Sequence, residues 1–366
     1  MSDKLTKSEK VRGGGRNYRL ARARAVKNDE FYTQLSDIEK ELNHYTEHFA
    51  GKTVYCNCDD PYESNFFKYF VLNFNKLKLK KLIATCYKNS PISNKELSLF
   101  PNEPIKTTSV AHKIIVTEVV DEDGDGAQNL NDIKLWLAHH PQHLKKLKGD
   151  GDFRSDECVE LLKQADIVVT NPPFSLFREY IAQLVQCDKK FIVIGNKNAI
   201  AYKEIFALIK ANKLWLGHRN INQDMWLIIP NEDDKYEKIE NGKRLKHIMA
   251  CWYTNLDNKK RHEDLIMYRQ YTPDAYPKYD NYDAINVDKV DDVPMDYYGV
   301  MGVPITFMDR YNPEQFEIID CKIPFLLKED ALKIGLKMHR TNTIEKDGKT
   351  LRQLYWRIFI KRKQGN

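Results

Sequence analysis

The run Asn171-Pro172-Pro173-Phe174 carries the sharpest chemical signal in the sequence. It follows the apolar stretch Asp166-Ile167-Val168-Val169-Thr170 directly and precedes a helical pattern from Leu176 to Val185. Two consecutive prolines cannot continue a ladder, so they end the strand in a rigid turn. That turn leaves the Asn171 side chain and the Pro172 carbonyl as paired hydrogen-bond acceptors, with the flat ring of Phe174 beside them. These groups suit methyl transfer to an exocyclic amino group. The amino nitrogen of adenine is a poor nucleophile because its lone pair is delocalised into the ring. Two acceptors gripping its two N–H bonds favour a pyramidal nitrogen, whose lone pair can attack a methyl sulfonium. Phe174 would stack on the base, which has to leave a duplex to be reached. Positioning does most of the work, and no acid of unusual pKa is required. The plainer alternative for the same residues is a strand-ending turn without chemistry.

A second constellation lies upstream. Gly149-Asp150-Gly151-Asp152-Phe153 reads as a loop after a strand end. There Asp152 can accept from a cofactor amino group while Phe153 packs on an adenine ring.

The elements that position these loops alternate along the chain. Leu35, Ile38, Leu42 and Tyr45 follow Phe31 and Tyr32 at the spacing of one helical face. Strands are predicted at Thr53–Cys56, Lys81–Thr85, His112–Val120, Asp166–Thr170 and Phe191–Ile194, and helices over Phe66–Leu72, around Ile133–Leu137, over Leu176–Val185 and over Lys203–Lys210. Met225–Ile229 and Ile248–Tyr253 read as a terminal antiparallel pair. The pattern predicts an α/β fold, a doubly wound and mostly parallel sheet with helices on both faces. Ligands of such sheets bind beyond the carboxyl ends of the strands. The expected organisation is a flexible basic arm over 1–26, a catalytic core over 27–257, and a target-recognition region over 258–366 that is Tyr- and Asp-rich, irregular, then basic.

Charge supports a polyanionic partner. The net charge of +6 over 366 residues hides an asymmetry. Residues 1–27 hold nine Lys/Arg against Asp3 and Glu9, and residues 331–366 hold ten against Glu345 and Asp347. The body between them is net acidic. Basic ends around an acidic body are the footprint of a nucleic-acid binder, with Arg12, Arg16, Arg19, Arg22 and Arg24 as candidate DNA contacts. No apolar run reaches membrane-spanning length, and the first thirty residues carry no signal-peptide core, so a cytoplasmic protein without membrane contact is expected. The seven cysteines form no CxxC pair, which argues against zinc and for buried, reduced thiols.

With these motifs in place, the chain resembles the amino methyltransferases of DNA, and most closely the EcoRI-type adenine-specific methyltransferases, from about Lys27 to Asp320. Asp29-Glu30-Phe31-Tyr32-Thr33-Gln34 resembles an N-terminal cofactor motif. Val54 to Phe70 (VYCNCDDPYESNFFKYF) occupies the first-strand cofactor position, Asp152-Phe153 matches the adenine-binding loop, and Asn171 to Phe174 the catalytic tetrapeptide. Gly299 to Asp320 (GVMGVPITFMDRYNPEQFEIID) is similar to the family's C-terminal signature. The resemblance implies a Rossmann-like methyltransferase fold and S-adenosylmethionine held by Tyr32, Thr33, Cys58, Asp59, Asp60, Pro61, Ser64, Asn65, Asp152 and Phe153. It also implies N6-methyladenine in double-stranded DNA as product, made by the modification enzyme of a restriction–modification system. A cognate endonuclease would then share the cell without forming a stable complex. Two departures stand out. The first loop, Asp60-Pro61-Tyr62-Glu63-Ser64-Asn65, has no glycine, and Thr85-Cys86-Tyr87 ends the second strand without an acid.

Other patterns are weaker. Asp121, Asp123, Asp125 and Asp132 with Gly126 match the spacing of a calcium-binding loop. Gln128 stands where an apolar residue belongs, however, and a solvated acidic turn is the plainer reading. Any ion there would be structural, and no catalytic metal is expected. His139, His140 and His143 read as solvated surface. Glu314 with Asp320-Cys321-Lys322 is too closely spaced for a nuclease, and no Pro-Cys pair offers a nucleophile for ring-carbon methylation. Two rival functions remain at this level: an RNA or protein amino methyltransferase, and a DNA-binding module with an inactive methyltransferase-like core.

Overall fold

The computed structural model describes residues 32–59, 64–86, 111–122, 144–223, 225–229, 236–339 and 342–364, with Asp132, Leu135 and His139 singly. Strands β1 (Thr53–Cys56), β2 (Lys81–Thr85), β3 (His112–Val116), β4 (Leu144–Lys146), β5 (Ile167–Thr170), β6 (Lys190–Asn196), β7 (Trp215–Leu216) and β11 (Ala250–Thr254) form one sheet in the order β4-β3-β2-β1-β5-β6-β11-β7. The four central strands β2, β1, β5 and β6 are parallel neighbours. Within this sheet β3 and β11 run against the others. The architecture is mixed α/β, as the alternating pattern predicts.

Period-two alternation assigns each strand residue to a face. Val54, Cys56, Leu82, Ala84, Ile167, Val169, Ile192 and Ile194 enter one core with α1 (Leu35–Leu42) and α2 (Asn65–Leu72). Tyr55, Ile83, Val168, Phe191 and Val193 enter the other with α3 (Asp156–Gln164), α4 (Phe177–Gln186) and α5 (Lys203–Lys210). Both faces of the central strands are therefore covered, which is what their near-continuous apolar sequences require.

The terminal antiparallel pair differs from the expected one. Ile248–Tyr253 is not one strand. The strand is interrupted at Met249, whose carbonyl accepts from Lys197 N at 2.8 Å. β11 begins there and pairs with β6 and β7, so β11 and β7 close the large sheet. β10 (Lys243–Ile248) instead joins β8 (Met225–Ile228) and β9 (Lys238–Glu240) in a small antiparallel sheet.

The region after Asp257 is also more regular than its sequence suggests. β12 (Ile285–Asn286), β13 (Val300–Pro304), β18 (Arg357–Arg362) and β14 (Phe316–Lys322) form a four-stranded sheet. β15 (Phe325–Leu327), β17 (Lys349–Gln353) and β16 (Thr343–Lys346) form a three-stranded one, with α6 (Lys328–Lys333) against it. These strands are short and carry charges between their apolar positions, so their alternation is weak in sequence. Met301, Val303, Phe316, Ile318, Ile358 and Ile360 join the same apolar core as Ile205 and Ile209 of α5. The large sheet and the C-terminal sheet thus share one continuous interior.

A buried polar network reinforces that junction. Glu41 on α1 is fully buried and accepts from Tyr45 Oη (3.0 Å), His218 N (2.6 Å) and Arg219 N (2.9 Å). Arg219 also pairs with Asp37 at 2.7 Å. Two residues on, Ile221 N donates to both oxygens of Asp309, which lies 3.3 Å from Lys260 Nζ. Burial raises the Glu41 and Asp309 carboxyls above their usual range, against the pull of their donors. The segment after β7 is therefore held by α1 on one side and by the C-terminal region on the other.

Candidate active site

The strand order brings the carboxyl ends of β1, β2, β4 and β5 to one end of the large sheet. β5 lies directly beside β1, and β1 beside β2. Asn171 follows β5 immediately and is half-buried, Pro172 is buried, and Pro173 and Phe174 are half-buried. Pro173 is extended (φ −55°, ψ 125°) and its carbonyl accepts from Leu176 N at 3.0 Å. A single 3-10 turn, Phe174–Leu176, then leads into α4. The tetrapeptide is thus a short rigid link from a central strand to a helix, at the end where parallel sheets bind ligands.

The neighbouring loop is tied to it through one carboxylate. Asp59, 6% exposed, receives Ser64 Oγ at 2.7 Å on one oxygen and Thr170 Oγ1 at 2.5 Å on the other. Its backbone N donates to the Thr85 carbonyl at 3.1 Å, so the ends of β1, β2 and β5 meet at this residue. Ser64 caps α2, accepting from Phe66 N and Phe67 N. Beneath the loop, the Tyr180 hydroxyl donates to Asn57 Oδ1, and the Tyr55 hydroxyl sits 3.0 Å from Thr85 Oγ1. Burial pushes both phenols well above their usual pKa, so they remain protonated.

Of the expected cofactor residues, Tyr32 pairs with Ile228 of β8 through two backbone bonds (2.9 and 2.7 Å). Asn65 Nδ2 donates to the Thr33 carbonyl at 2.7 Å, which docks this segment on the start of α2. Thr33 is buried, and its hydroxyl has no hydrogen-bond partner among the described residues. Cys58 is half-buried, its thiol 3.8 Å from Asn57 Oδ1. Tyr32, Thr33, Cys58, Asp59, Ser64 and Asn65 are therefore brought together, whereas Asp60 and Pro61 lie outside the described residues, as do Arg12, Arg16, Arg19, Arg22 and Arg24.

Asp152 and Phe153 follow β4 at the same end. Gly151 has φ +78°, and a Cβ there would stand 2.1 Å from the Cys86 carbonyl oxygen. Only glycine lets this loop lie on the end of β2. The Asp152 carboxylate is gripped by Arg154 through Nε (2.9 Å) and Nη2 (2.6 Å), and Arg154 also reaches Glu179 at 3.2 Å. Phe153 is buried, with its ring 5.1 Å from that of Tyr180 in an edge-on arrangement. Its carbonyl accepts from Gln183 of α4 at 3.1 Å.

Residues missed in the sequence are Asn57, Thr85, Gly151, Thr170 and Tyr180. A threonine closing an otherwise apolar strand was the visible signal for Thr170. The calcium reading falls mostly outside the described residues. Of its acids, Asp132 is buried and accepts from Glu122 N at 2.8 Å. Among the described residues no His/Cys/Asp/Glu group could hold a metal. No disulfide joins any of the seven cysteines, and no described helix is long and apolar enough to cross a membrane.

Comparison with known proteins decides the family. Residues 19–363 match the family described as adenine-specific methyltransferase EcoRI. The chain belongs to this family. The Escherichia coli Type II methyltransferase M.EcoRI is 50% identical over 310 residues, covering 83% of this chain and 89% of that one. M.MgeORF184P of Mycoplasma genitalium is 38% identical over 357 residues (94% of this chain, 98% of that one), and M.MpnI of Mycoplasma pneumoniae 35% over 354 (again 94% and 98%). No solved structure matches the chain. The protein is a DNA adenine methyltransferase of the restriction–modification kind, and its family implies S-adenosylmethionine as methyl donor.

Proposed function

We propose that the methyltransferase transfers a methyl group to the N6 amino nitrogen of an adenine flipped out of double-stranded DNA, at the loop Asn171–Phe174. The observation that carries this reading is the position of that tetrapeptide. It leaves the carboxyl end of β5 beside β1, and Thr170, the residue before it, is bonded to the loop that the family resemblance assigns to the donor. The Asn171 side-chain oxygen and the Pro172 carbonyl accept from the amino group and hold its nitrogen in line. Phe174 stacks on the base. Two prolines and the following 3-10 turn keep these acceptors fixed without reorganisation during the reaction.

The donor-side residues fit S-adenosylmethionine. The buried Thr33 hydroxyl offers a hydrogen bond that no described residue uses. Arg154 fixes the Asp152 carboxylate in the loop beside the end of β2. Tyr32, Thr33, Cys58, Asp59, Ser64, Asn65, Asp152 and Phe153 line the proposed donor site, and the family resemblance assigns Asp60 and Pro61 to it as well. S-adenosylmethionine, when bound, supplies an electrophilic sulfonium methyl. Residues 258–366 select the target sequence, and the N-terminal arginines contact phosphates.

Sequencing of methylated bases in DNA from cells expressing the chain tests the reading. N6-methyladenine at one recurring motif, abolished by Asn171→Ala, is the expected result. DNA without methyladenine, or methylation that survives Asn171→Ala, would overturn it.

A further inference from the structure

The donor-side loop lacks the glycines expected of it, and the structure points to what replaces them. Asp59 stands three residues past β1 and Ser64 caps α2, and the two are pinned together by the 2.7 Å bond from Ser64 Oγ to Asp59 Oδ1. Ser64 has one hydroxyl proton, which this bond uses. Its lone pairs remain for the helix amides of Phe66 and Phe67 (3.1 and 3.4 Å). A side-chain staple thus closes the loop where a glycine-rich backbone turn would otherwise do so. The second Asp59 oxygen takes the Thr170 hydroxyl at 2.5 Å, across a sequence separation of 111 residues. Thr170 and Ser64 are buried to 0% and 1% exposure. A carboxylate buried this deeply needs such hydrogen-bond donors.

We infer that Asp59 is a positioning residue that locks the donor-side loop to the catalytic tetrapeptide through Ser64 and Thr170. The inference rests on the site proposed above, since it concerns how two of its parts are held. Thr170 precedes Asn171 by one peptide bond, so a shift of the Thr170 hydroxyl moves the acceptors that hold the amino group. Ser64 fixes the other side of the same carboxylate. Donor and base are then kept at a set separation by one side chain that touches neither the reacting nitrogen nor the methyl group. Displacements near 1 Å between reacting groups can reduce rates about a hundredfold.

The test is Thr170→Val, which removes the hydroxyl and keeps the shape, compared with Thr170→Ser, which restores it. With duplex DNA and S-adenosylmethionine, Thr170→Val should lower kcat by about 10–100-fold and leave donor affinity, read by calorimetry, within about threefold. Thr170→Ser should recover most of the rate. A Thr170→Val enzyme with kcat within twofold of the parent would overturn the inference, and so would a Thr170→Ser enzyme as slow as Thr170→Val. Should Thr170→Val fail to fold, Ser64→Ala reads the other half of the lock. Donor affinity should weaken about tenfold there, because the loop loses its closing bond, and unchanged affinity would overturn the inference. Asn171→Ala, assayed alongside, separates the lock from the site. An active Asn171→Ala sinks the site, whereas an inactive Asn171→Ala beside an undisturbed Thr170→Val sinks the lock alone.

Discussion

Replacing Glu41 by alanine removes one buried carboxylate that three donors share. Tyr45 Oη and His218 N lose the acceptor at Oε1, and Arg219 N loses the one at Oε2. A hydrogen bond to a charged group contributes about 1.5–3 kcal/mol. Three such bonds are offset by the desolvation of the carboxylate, which shows itself in the raised pKa of Glu41. The expected loss is about 3–5 kcal/mol, comparable to breaking a buried ion pair by removing one partner. That is a large share of a typical stability of about 5–15 kcal/mol. Glu41→Gln should cost less, because its amide oxygen can keep the two bonds at Oε1 and meets only Arg219 N with the wrong group. Urea unfolding followed by tryptophan fluorescence measures both. The pH dependence supplies an independent check. Because the folded pKa is raised, the native state holds the proton longer than the unfolded chain. This contribution is full below the unfolded pKa and is lost as pH rises through the folded one. Glutamine does not titrate, so the stability gap between parent and Glu41→Gln should narrow as pH rises through that window. A loss below about 1 kcal/mol for Glu41→Ala, or a gap that widens with pH, would refute the reasoning.

Three further outcomes are expected. Asn171→Ala should lower methyl transfer by orders of magnitude with donor affinity nearly intact, while Phe174→Tyr keeps its stacking face and most of its activity; single-turnover kinetics with calorimetry reads both. Gly151→Ala should destabilise the protein by about 2 kcal/mol or more, since a positive φ alone costs about 1–2 kcal/mol and its Cβ would meet the Cys86 carbonyl; thermal unfolding reads this, and an unchanged midpoint would contradict it. Deleting residues 2–24 removes eight Lys/Arg and two acids. If about half of those cations meet phosphates, the log–log salt dependence of DNA binding should flatten by roughly three to four, as read by fluorescence anisotropy.

The parallel core was legible in the residues because burial on both faces leaves long apolar runs. β1, β2 and α5 have the boundaries that their patterns predict. β4 escaped notice because Lys145 and Lys146 are exposed on an edge strand and break any apolar alternation. The break at Met249 was hidden because apolar residues flank it on both sides, and periodicity alone cannot show where a chain passes from one sheet to another. At the site, Asn171–Phe174 could be read because four adjacent residues carry the chemistry. The Asp59–Thr170 bond could not, since its partners meet only through the pairing of β1 with β5. Phe153 lies buried with its ring edge-on to Tyr180, an environment set by α4 and not visible in the loop's own residues.

The interior shared by the large sheet and the C-terminal sheet bears on how target preference can change. With Phe316, Ile318, Ile358 and Ile360 packed in the core that also holds α5, the region after Asp257, proposed above to select the target, is not a detachable unit. A cut near that point would expose apolar area on both fragments, and a transplanted segment would have to match the surface of α5 as well as its new DNA. If this region selects the target as proposed, new specificities within this scaffold should arise by exchange of exposed loop residues between the C-terminal strands, with the strands themselves held constant.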